Sequence, residues 1–459
     1  MDINNEIQRA IKHIQAQNPQ ISKSDDEVQS IVPLVWECID KSQYRFEDSD
    51  KIILNKNGKK RLVKRFADPF SNENIICQVI KQILDKEFGI QYPNRNKTTK
   101  NLFEILTAVK QMAEFTIVKI DFKDYFNSLS SEYVYLKYLK PYISDRTIRK
   151  TIEDFCLTTK YTYAGFPTSN AMAEIVACEF DRDLKRRFFY NGIVFYERYI
   201  DDGLIIFNRF IDQQKVDEEI QKTIDSVFYD NCIDAKVLCK TVLNQQKYIY
   251  ITKRNLTSTA VAFDFLGYEF WLINGSKHTT IQYGITKEKR EKYQDRLNHI
   301  IRLYTESNSP DYNNLDLLRH RVAAFSAREV YLNNRYRSKI WRVKGFISNY
   351  GELRFLLNTG MIHPDTEAYL KNMVIDSFNQ FGIMPSFLKG VPDGAPGYNL
   401  FHNMRVNRTI LLVDGIGYSY QALVKKCQQI GISIVNADGN NRPYNSLVHE
   451  YLIKVKVGY

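Results

Sequence analysis

The stretch Ile193-Val-Phe-Tyr-Glu-Arg-Tyr-Ile-Asp-Asp-Gly-Leu-Ile-Ile-Phe207 sets two acids between two runs rich in β-branched and aromatic side chains. Such runs favour strands, and Asp-Gly between them is a tight-turn signal. The reading is a β-hairpin over 193–208 with Asp201 and Asp202 at its tip. Adjacent carboxylates repel, and keeping both ionised is costly unless a cation compensates. A divalent ion such as Mg2+ suits this, because it prefers hard oxygen ligands. The dipeptide alone has little weight, since Asp25-Asp26 is identical and reads as a solvated helix start.

A third acid gives the hairpin its meaning. Glu114-Phe-Thr-Ile-Val-Lys-Ile-Asp121 is a strand-forming run that ends in a carboxylate. If this strand neighbours the hairpin, Asp121 and Asp201 meet at one edge of a sheet. Two metals about 3.5–4 Å apart could then activate a 3′-hydroxyl and stabilise a leaving pyrophosphate. That chemistry needs acids on rigid elements, because the metal spacing must be held tightly.

The flanking segments build a mixed fold. Residues 1–45 show helical spacing (Ile3, Ile7, Ile11, Ile14), with a second helix start at Ser24-Asp-Asp-Glu27. Asn55-Lys-Asn-Gly-Lys-Lys60 reads as a hairpin tip within a basic, turn-rich segment, and a helix follows at 71–88. Helices are expected over 131–140 and 145–158, then from the Gly165-Phe-Pro-Thr-Ser-Asn170 loop to about 189, and over 211–229. Strands are expected over 247–252 and 261–273, which makes an α+β region up to about 275. Basic helices are expected at 286–306 and 315–350. A Gly/Pro-rich loop at 382–397 precedes a strand at 409–413, an Asp414-Gly turn, a helix and further strands to Tyr459.

Composition narrows the class. With 459 residues, 44% of them hydrophobic, the chain is long enough for two or three cored domains. No stretch approaches the ~20 apolar residues of a membrane span. The polar start of the chain is no secretory signal. Seven scattered cysteines without a CxxC pair read as reduced thiols, so the expected location is cytoplasmic. The net charge is +11, and the chain carries 30 Tyr and 27 Phe, which suits a polyanionic partner.

Five segments, in order, resemble motifs of reverse transcriptases. They are Asp121-Phe-Lys-Asp-Tyr-Phe126, Gly165-Phe-Pro167-Thr-Ser-Asn170, Tyr199-Ile-Asp-Asp202, Leu243-Asn-Gln-Gln-Lys247 and Phe265-Leu-Gly267-Tyr268. Each is weak alone; their order over residues 50–275 is specific. The resemblance is to the bacterial kind: retron, abortive-infection and other defence-associated enzymes. It implies a right-hand polymerase. An N-terminal helical segment (1–45) precedes fingers (46–113), a palm with an antiparallel sheet and YxDD hairpin (114–275), a helical thumb (276–360) and a small α/β extension (361–459).

The resemblance also implies site roles. Asp121, Asp201 and Asp202 would hold two Mg2+ ions, or Mn2+, and Lys247 would protonate the pyrophosphate. Arg61, Arg65, Phe122, Phe126, Pro167 and Asn170 would surround the nucleotide. Arg forks onto phosphate oxygens, and a Phe126 ring under the sugar would exclude a 2′-hydroxyl. Gly267, Tyr268, Arg335, Arg337, Trp341 and Arg342 would contact nucleic acid, the last four from a basic, aromatic thumb helix. A plain reading stands beside each: core packing for Phe126, a solvated surface for Lys247 and the arginines. The implied activity is RNA-directed DNA synthesis in antiphage defence. The implied partners are dNTPs, an RNA template or noncoding RNA, the DNA product, and a second copy or another defence protein, with no membrane. Template-independent or protein-primed synthesis is the alternative within the class. A catalytically inactive RNA-binding scaffold is the alternative outside it.

Overall fold

The computed structural model describes residues 2–18, 23–56, 59–275, 278–307, 314–335, 338–389, 397–436 and 438–455, with the side chains of 55–61 and 333–340 outside that description. Residues 1–98 with 111–255 form one unit, and residues 99–110 with 256–459 form a second.

In the first unit, Asp2 accepts from the Asn5 amide and caps α1 (Ile3–Gln17), which buries Ile7, Ala10, Ile11 and Ile14. A capping box between Ser24 and Glu27 starts α2 (Asp25–Asp40). The basic strands β1 (Asp50–Lys56) and β2 (Lys59–Arg65) pair antiparallel, and the hairpin tip expected between them falls largely outside the described residues. Next come α3 (Asn72–Glu87) and α4 (Arg95–Val109), the latter not expected from the sequence. Residues 99 onward of α4 belong to the second unit.

β3 (Thr116–Asp121) is buried at every position, as expected for a central strand covered on both faces. Short α5 (Tyr125–Ser128) and α6 (Ser131–Val134) follow, then α7 (Arg146–Thr159) and α8 (Pro167–Arg187). Pro167 sits in the first turn of α8, where its missing N–H costs nothing. β4 (Ile193–Tyr199), β5 (Asp202–Phe207), α9 (Gln213–Phe228) and β6 (Ile249–Thr252) complete a four-stranded antiparallel sheet of order β4-β5-β3-β6. Helices α1, α2, α3, α7, α8 and α9 supply the apolar side chains of one continuous core with it.

The second unit carries two three-stranded sheets. β7 (Val261–Phe265), β8 (Tyr268–Asn274) and β9 (Thr279–Ile285) form an antiparallel meander. Phe103 of α4 packs on Tyr268, Phe270 and Tyr283 of that meander. Residues 261–273 are therefore two strands and not one. They turn at Leu266-Gly267, both at positive φ (52° and 81°), the pairing that two-residue hairpins require.

α10 (Lys287–Glu306) and α11 (Leu315–Ser326) follow, but the expected helix over 315–350 stops at Ser326. β10 (Arg328–Arg335) and β11 (Ser338–Lys344) form a hairpin instead. The physical reason is a period of two. Trp341 and Val343 are exposed on one face of β11, while Arg342 and Lys344 alternate with them. β10 also pairs in parallel with β12 (Thr409–Leu412), whose Ile410 and Leu412 are buried.

α12 (Phe346–Asn349), α13 (Pro364–Gln380) and α14 (Leu400–Arg405) precede β12 in the chain, and α15 (Tyr420–Gln429) and α16 (Tyr444–Val455) follow it. Part of the Gly/Pro-rich loop, residues 390–396, lies outside the described residues. The strands expected toward the end of the chain are replaced by α16. Leu447, Val448, Tyr451 and Val455 recur at helical spacing and are all buried, so tertiary packing overrides the β-branched content. No helix among the described residues is long and apolar enough to cross a membrane. The fold is thus a mixed α+β arrangement with largely antiparallel sheets.

Candidate active site

The register of the four-stranded sheet assembles the acids. β4 and β5 pair Tyr199 with Asp202, so the turn is the two residues Ile200-Asp201. The expected Asp-Gly turn is displaced by one step: Asp202 and Gly203 already belong to β5. Ile200 takes φ +62°, a strained conformation for a β-branched residue. Gly203 is there for packing, since a Cβ at that position would stand 2.9 Å from Ile120 Cγ1.

β3 and β5 pair Asp121 directly with Asp202. Side chains opposite each other in an antiparallel pair share a face, and like charges there destabilise. The structure therefore sets Asp202, not Asp201, against Asp121; Asp201 stands in the adjoining turn, its carbonyl accepting from the Phe122 amide at 3.2 Å. Burial, helped by the neighbouring Asp121 carboxyl, pushes the Asp202 pKa up. Burial also opposes charge on Asp121, but hydrogen bonds with Asp202, Lys247 and Asn244 outweigh it and hold that pKa below the usual range. The pair divides its charge accordingly, with Asp121 the ionised member. Asp202 Oδ1 is buried without a hydrogen-bond partner.

The segment after α9 closes over the end of β3. Asn244 N donates to the Asp121 carbonyl at 2.7 Å. Asn244 Nδ2 reaches Asp121 Oδ1 at 2.9 Å, and Lys247 Nζ reaches Oδ2 at 2.6 Å. Burial disfavours the Lys247 ammonium, yet the Asp121 bond and the nearby Asp202 and Asp201 raise its pKa overall. Among the described residues, no group of three or more His, Cys, Asp and Glu side chains is spaced to clasp a metal ion as it stands.

Beside the turn lies a cavity of about 180 Å3, lined by Tyr92, Pro93, Tyr125, Phe126, Asn170, Ala173, Glu174, Tyr199 and Ile200. It gathers Phe126, Asn170 and the Tyr199-Ile200 half of the YxDD segment, with Asp121, Asp201 and Asp202 outside its lining. Phe122, expected at the nucleotide, is instead in the core: it is 2% exposed, stacked on Tyr125 and edge-on to Phe180 and Phe228. The alternation of a strand explains it, because the residue after Asp121 must face the other way.

The remaining expected residues are scattered. Pro167 is half-buried at the start of α8 and does not line the cavity. Arg65 is exposed at the end of β2. Gly267 and Tyr268 form the β7–β8 turn region of the second unit, with Tyr268 buried and its hydroxyl donating to the Asn349 carbonyl at 3.2 Å. Trp341 and Arg342 lie on the β11 hairpin strand, not on a helix. Arg61, Arg335 and Arg337 lie outside the described side chains.

Sequence reasoning missed an ionic network beneath the turn. Arg198, 4% exposed at its side chain, forks onto Glu174 at 2.6 and 3.2 Å and onto Asp181 at 2.9 and 3.1 Å. Its Nη1 also donates to the Ile200 carbonyl at 2.9 Å. The available signal was the seven-residue spacing of Glu174 and Asp181, which puts both acids on one face of a helix.

No family model matches the chain, and no curated protein matches it. Among solved structures the chain resembles telomerase from Candida albicans, determined in complex with a TWJ fragment of telomeric RNA. The identity is 13% and the TM-score 0.34, over 88% of this chain and 65% of that one. The likeness is distant, and the chain spans just under two thirds of that structure's length.

Proposed function

We propose that this chain is a metal-dependent nucleotidyltransferase of the reverse-transcriptase kind, extending a DNA strand on an RNA template. One observation carries the reading: a central strand ends in Asp121 directly opposite Asp202, with Lys247 and Asn244 on Asp121 and a Phe126-lined cavity beside the turn. The donor set fits hard divalent cations. Its oxygens come from three carboxylates, and one of them is buried without a partner. Asp121, Asp201 and Asp202 would hold Mg2+ or Mn2+, which supplies charge neutralisation at the reacting phosphate and activates the 3′-hydroxyl.

The protein's own residues would do the rest. The Phe122 amide on the Asp201 carbonyl and the Asn244 amide on the Asp121 carbonyl fix the acids on the sheet. Lys247, its Nζ 2.6 Å from Asp121 Oδ2, would be the acid that protonates a leaving pyrophosphate. Phe126 walls the cavity in which a sugar would sit, favouring deoxynucleotides. The fingers, palm, thumb and extension boundaries at 46, 114, 276 and 361, the noncoding-RNA partner and the antiphage role belong to this proposal. The test is incorporation of labelled dNTPs on a primed RNA template with Mg2+ or Mn2+, wild type against Asp121→Ala. Metal-dependent synthesis lost in the variant is expected. An Asp121→Ala protein that synthesises like wild type overturns the reading. Products formed without a template, or attached to the protein itself, would move it to the untemplated or protein-primed alternative.

A further inference from the structure

The network under the turn has no role in the chemistry described so far. Burying an arginine with two carboxylates is costly, and it usually adds little stability over apolar packing of the same volume. What such a network supplies, and apolar packing cannot, is a fixed hydrogen-bond geometry. Arg198 spends one bond on the Ile200 carbonyl, inside the two-residue turn that carries Asp201. Ile200 holds a positive φ that an isoleucine does not adopt unaided. Asp181 is held in turn by the Tyr196 hydroxyl at 2.6 Å. The guanidinium is therefore held by two carboxylates before it reaches the turn.

The other end of the clamp is equally placed. Glu174 lies on α8, one residue from Ala173, and both line the cavity. The Ala173 carbonyl accepts from the Tyr125 hydroxyl at 2.9 Å, which joins α8 to the segment carrying Phe126. One buried arginine thus ties the cavity wall to the acid-bearing turn.

We propose that Arg198, set by Glu174 and Asp181, is a positioning residue that holds the strained Ile200-Asp201 turn in register with the cavity and so places Asp201 beside Asp121 and Asp202. This deepens the nucleotidyltransferase reading and rests on it. The planar fork is essential: a lysine keeps the buried charge but cannot bond two carboxylates and a carbonyl at fixed angles.

The test compares full-length wild type with Arg198→Lys and Glu174→Gln. Three quantities are measured: backbone hydrogen exchange across 196–204, Mn2+ binding followed by electron paramagnetic resonance, and Mg2+-dependent incorporation. Arg198→Lys is expected to melt near the wild-type temperature, yet to exchange about tenfold faster in the turn while the α8 and β3 amides keep their protection. Mn2+ binding is expected to weaken several-fold. The kcat should fall about ten- to a hundredfold, the order expected when a reacting group is misplaced by about 1 Å, with the nucleotide KM little changed. Glu174→Gln should show the same pattern more mildly, and it carries the comparison if the lysine variant does not fold. Wild-type exchange in the turn together with wild-type Mn2+ affinity in both variants overturns the proposal. A wild type with no metal-dependent incorporation removes the nucleotidyltransferase reading instead, and the exchange and Mn2+ results still decide the positioning role.

Discussion

Gly165→Ala tests how the loop before α8 is locked to the basic hairpin. Gly165 has φ +112°, and an added Cβ would stand 2.1 Å from the Lys64 carbonyl oxygen and 2.7 Å from Val63 Cγ1. The loop cannot retreat from that contact easily. Lys64 N donates to the Ala164 carbonyl at 2.9 Å, and Phe166, 1% exposed, packs on Phe66 and Phe155. The backbone strain costs about 1–3 kcal/mol, the forced displacement about 1–3, and a lost hydrogen bond about 1. Together they amount to roughly 3–7 kcal/mol, or about 6–28 °C in Tm at about 2–4 °C per kcal/mol for a unit of this size. Gly89→Ala is the matched control, because Gly89 has φ +57° with nothing within 4 Å of the added Cβ. It should cost only about 1 kcal/mol. Calorimetry and urea unfolding of both variants give the comparison. If Gly165→Ala melts no lower than Gly89→Ala, the loop is not locked as argued.

Other outcomes follow from single residues. His320 lies between the Tyr451 hydroxyl at 2.9 Å and Gln429 Oε1 at 3.2 Å, and burial, aided by Lys426, lowers its pKa to about 4 from 6.5. Its folded pKa is depressed, so the unfolded chain takes up a proton first. Stability should be full above about pH 6.5 and fall by up to about 2–3 kcal/mol as pH drops to about 4; His320→Gln should flatten that slope in urea titrations, and parallel slopes would refute the assignment. Phe126→Ala should raise ribonucleotide use relative to deoxynucleotide use about tenfold or more in a primer-extension competition, and an unchanged ratio speaks against the ring's role. Asp202→Asn should leave Tm near the wild-type value without metal, since an amide can replace the Asp202 carboxyl's hydrogen bond to Asp121, but abolish the gain from Mg2+. Wild type should gain about 2.7 kcal/mol when Mg2+ stands at about a hundred times its Kd. A variant that gains as much as wild type would mean Asp202 is no ligand.

The parts of this site legible in the sequence were those with a local signal. Alternating apolar runs gave the 193–208 hairpin, and a β-rich run ending in an acid gave Asp121. Register was not legible. A shift of one residue in the turn moves Asp202 into β5 and opposite Asp121, and only the close contact of Gly203 with Ile120 explains why the glycine belongs in the strand. The segment 328–344 was misread because its arginines suggested a helix face, whereas its pairing with residues 409–412, some 80 positions away, decides the matter. α16 was misread for the same reason, since its buried stripe has partners only in the folded unit. Arg198 was one basic residue among 64, and nothing local marks it as buried. Its two acids come from a helix that precedes it in the chain, and their shared face gains meaning only when that helix lies under the sheet.

Two cations divide the work of holding the turn and the acid opposite it. Lys247, with Asn244, satisfies Asp121 from the segment after α9, on the β6 side of the sheet. Arg198, with Glu174 and Asp181, holds the Ile200 carbonyl from the α8 side. Neither cation hydrogen-bonds Asp202 Oδ1, which stays buried and unpartnered. A purely structural turn has no use for the second oxygen of a carboxyl at 202, which is buried and makes no bond. The acid stands there with one oxygen open, while Lys247 braces Asp121 and Arg198 braces the turn. That arrangement holds the turn while leaving one carboxyl oxygen without a partner, as the proposed divalent-cation site needs.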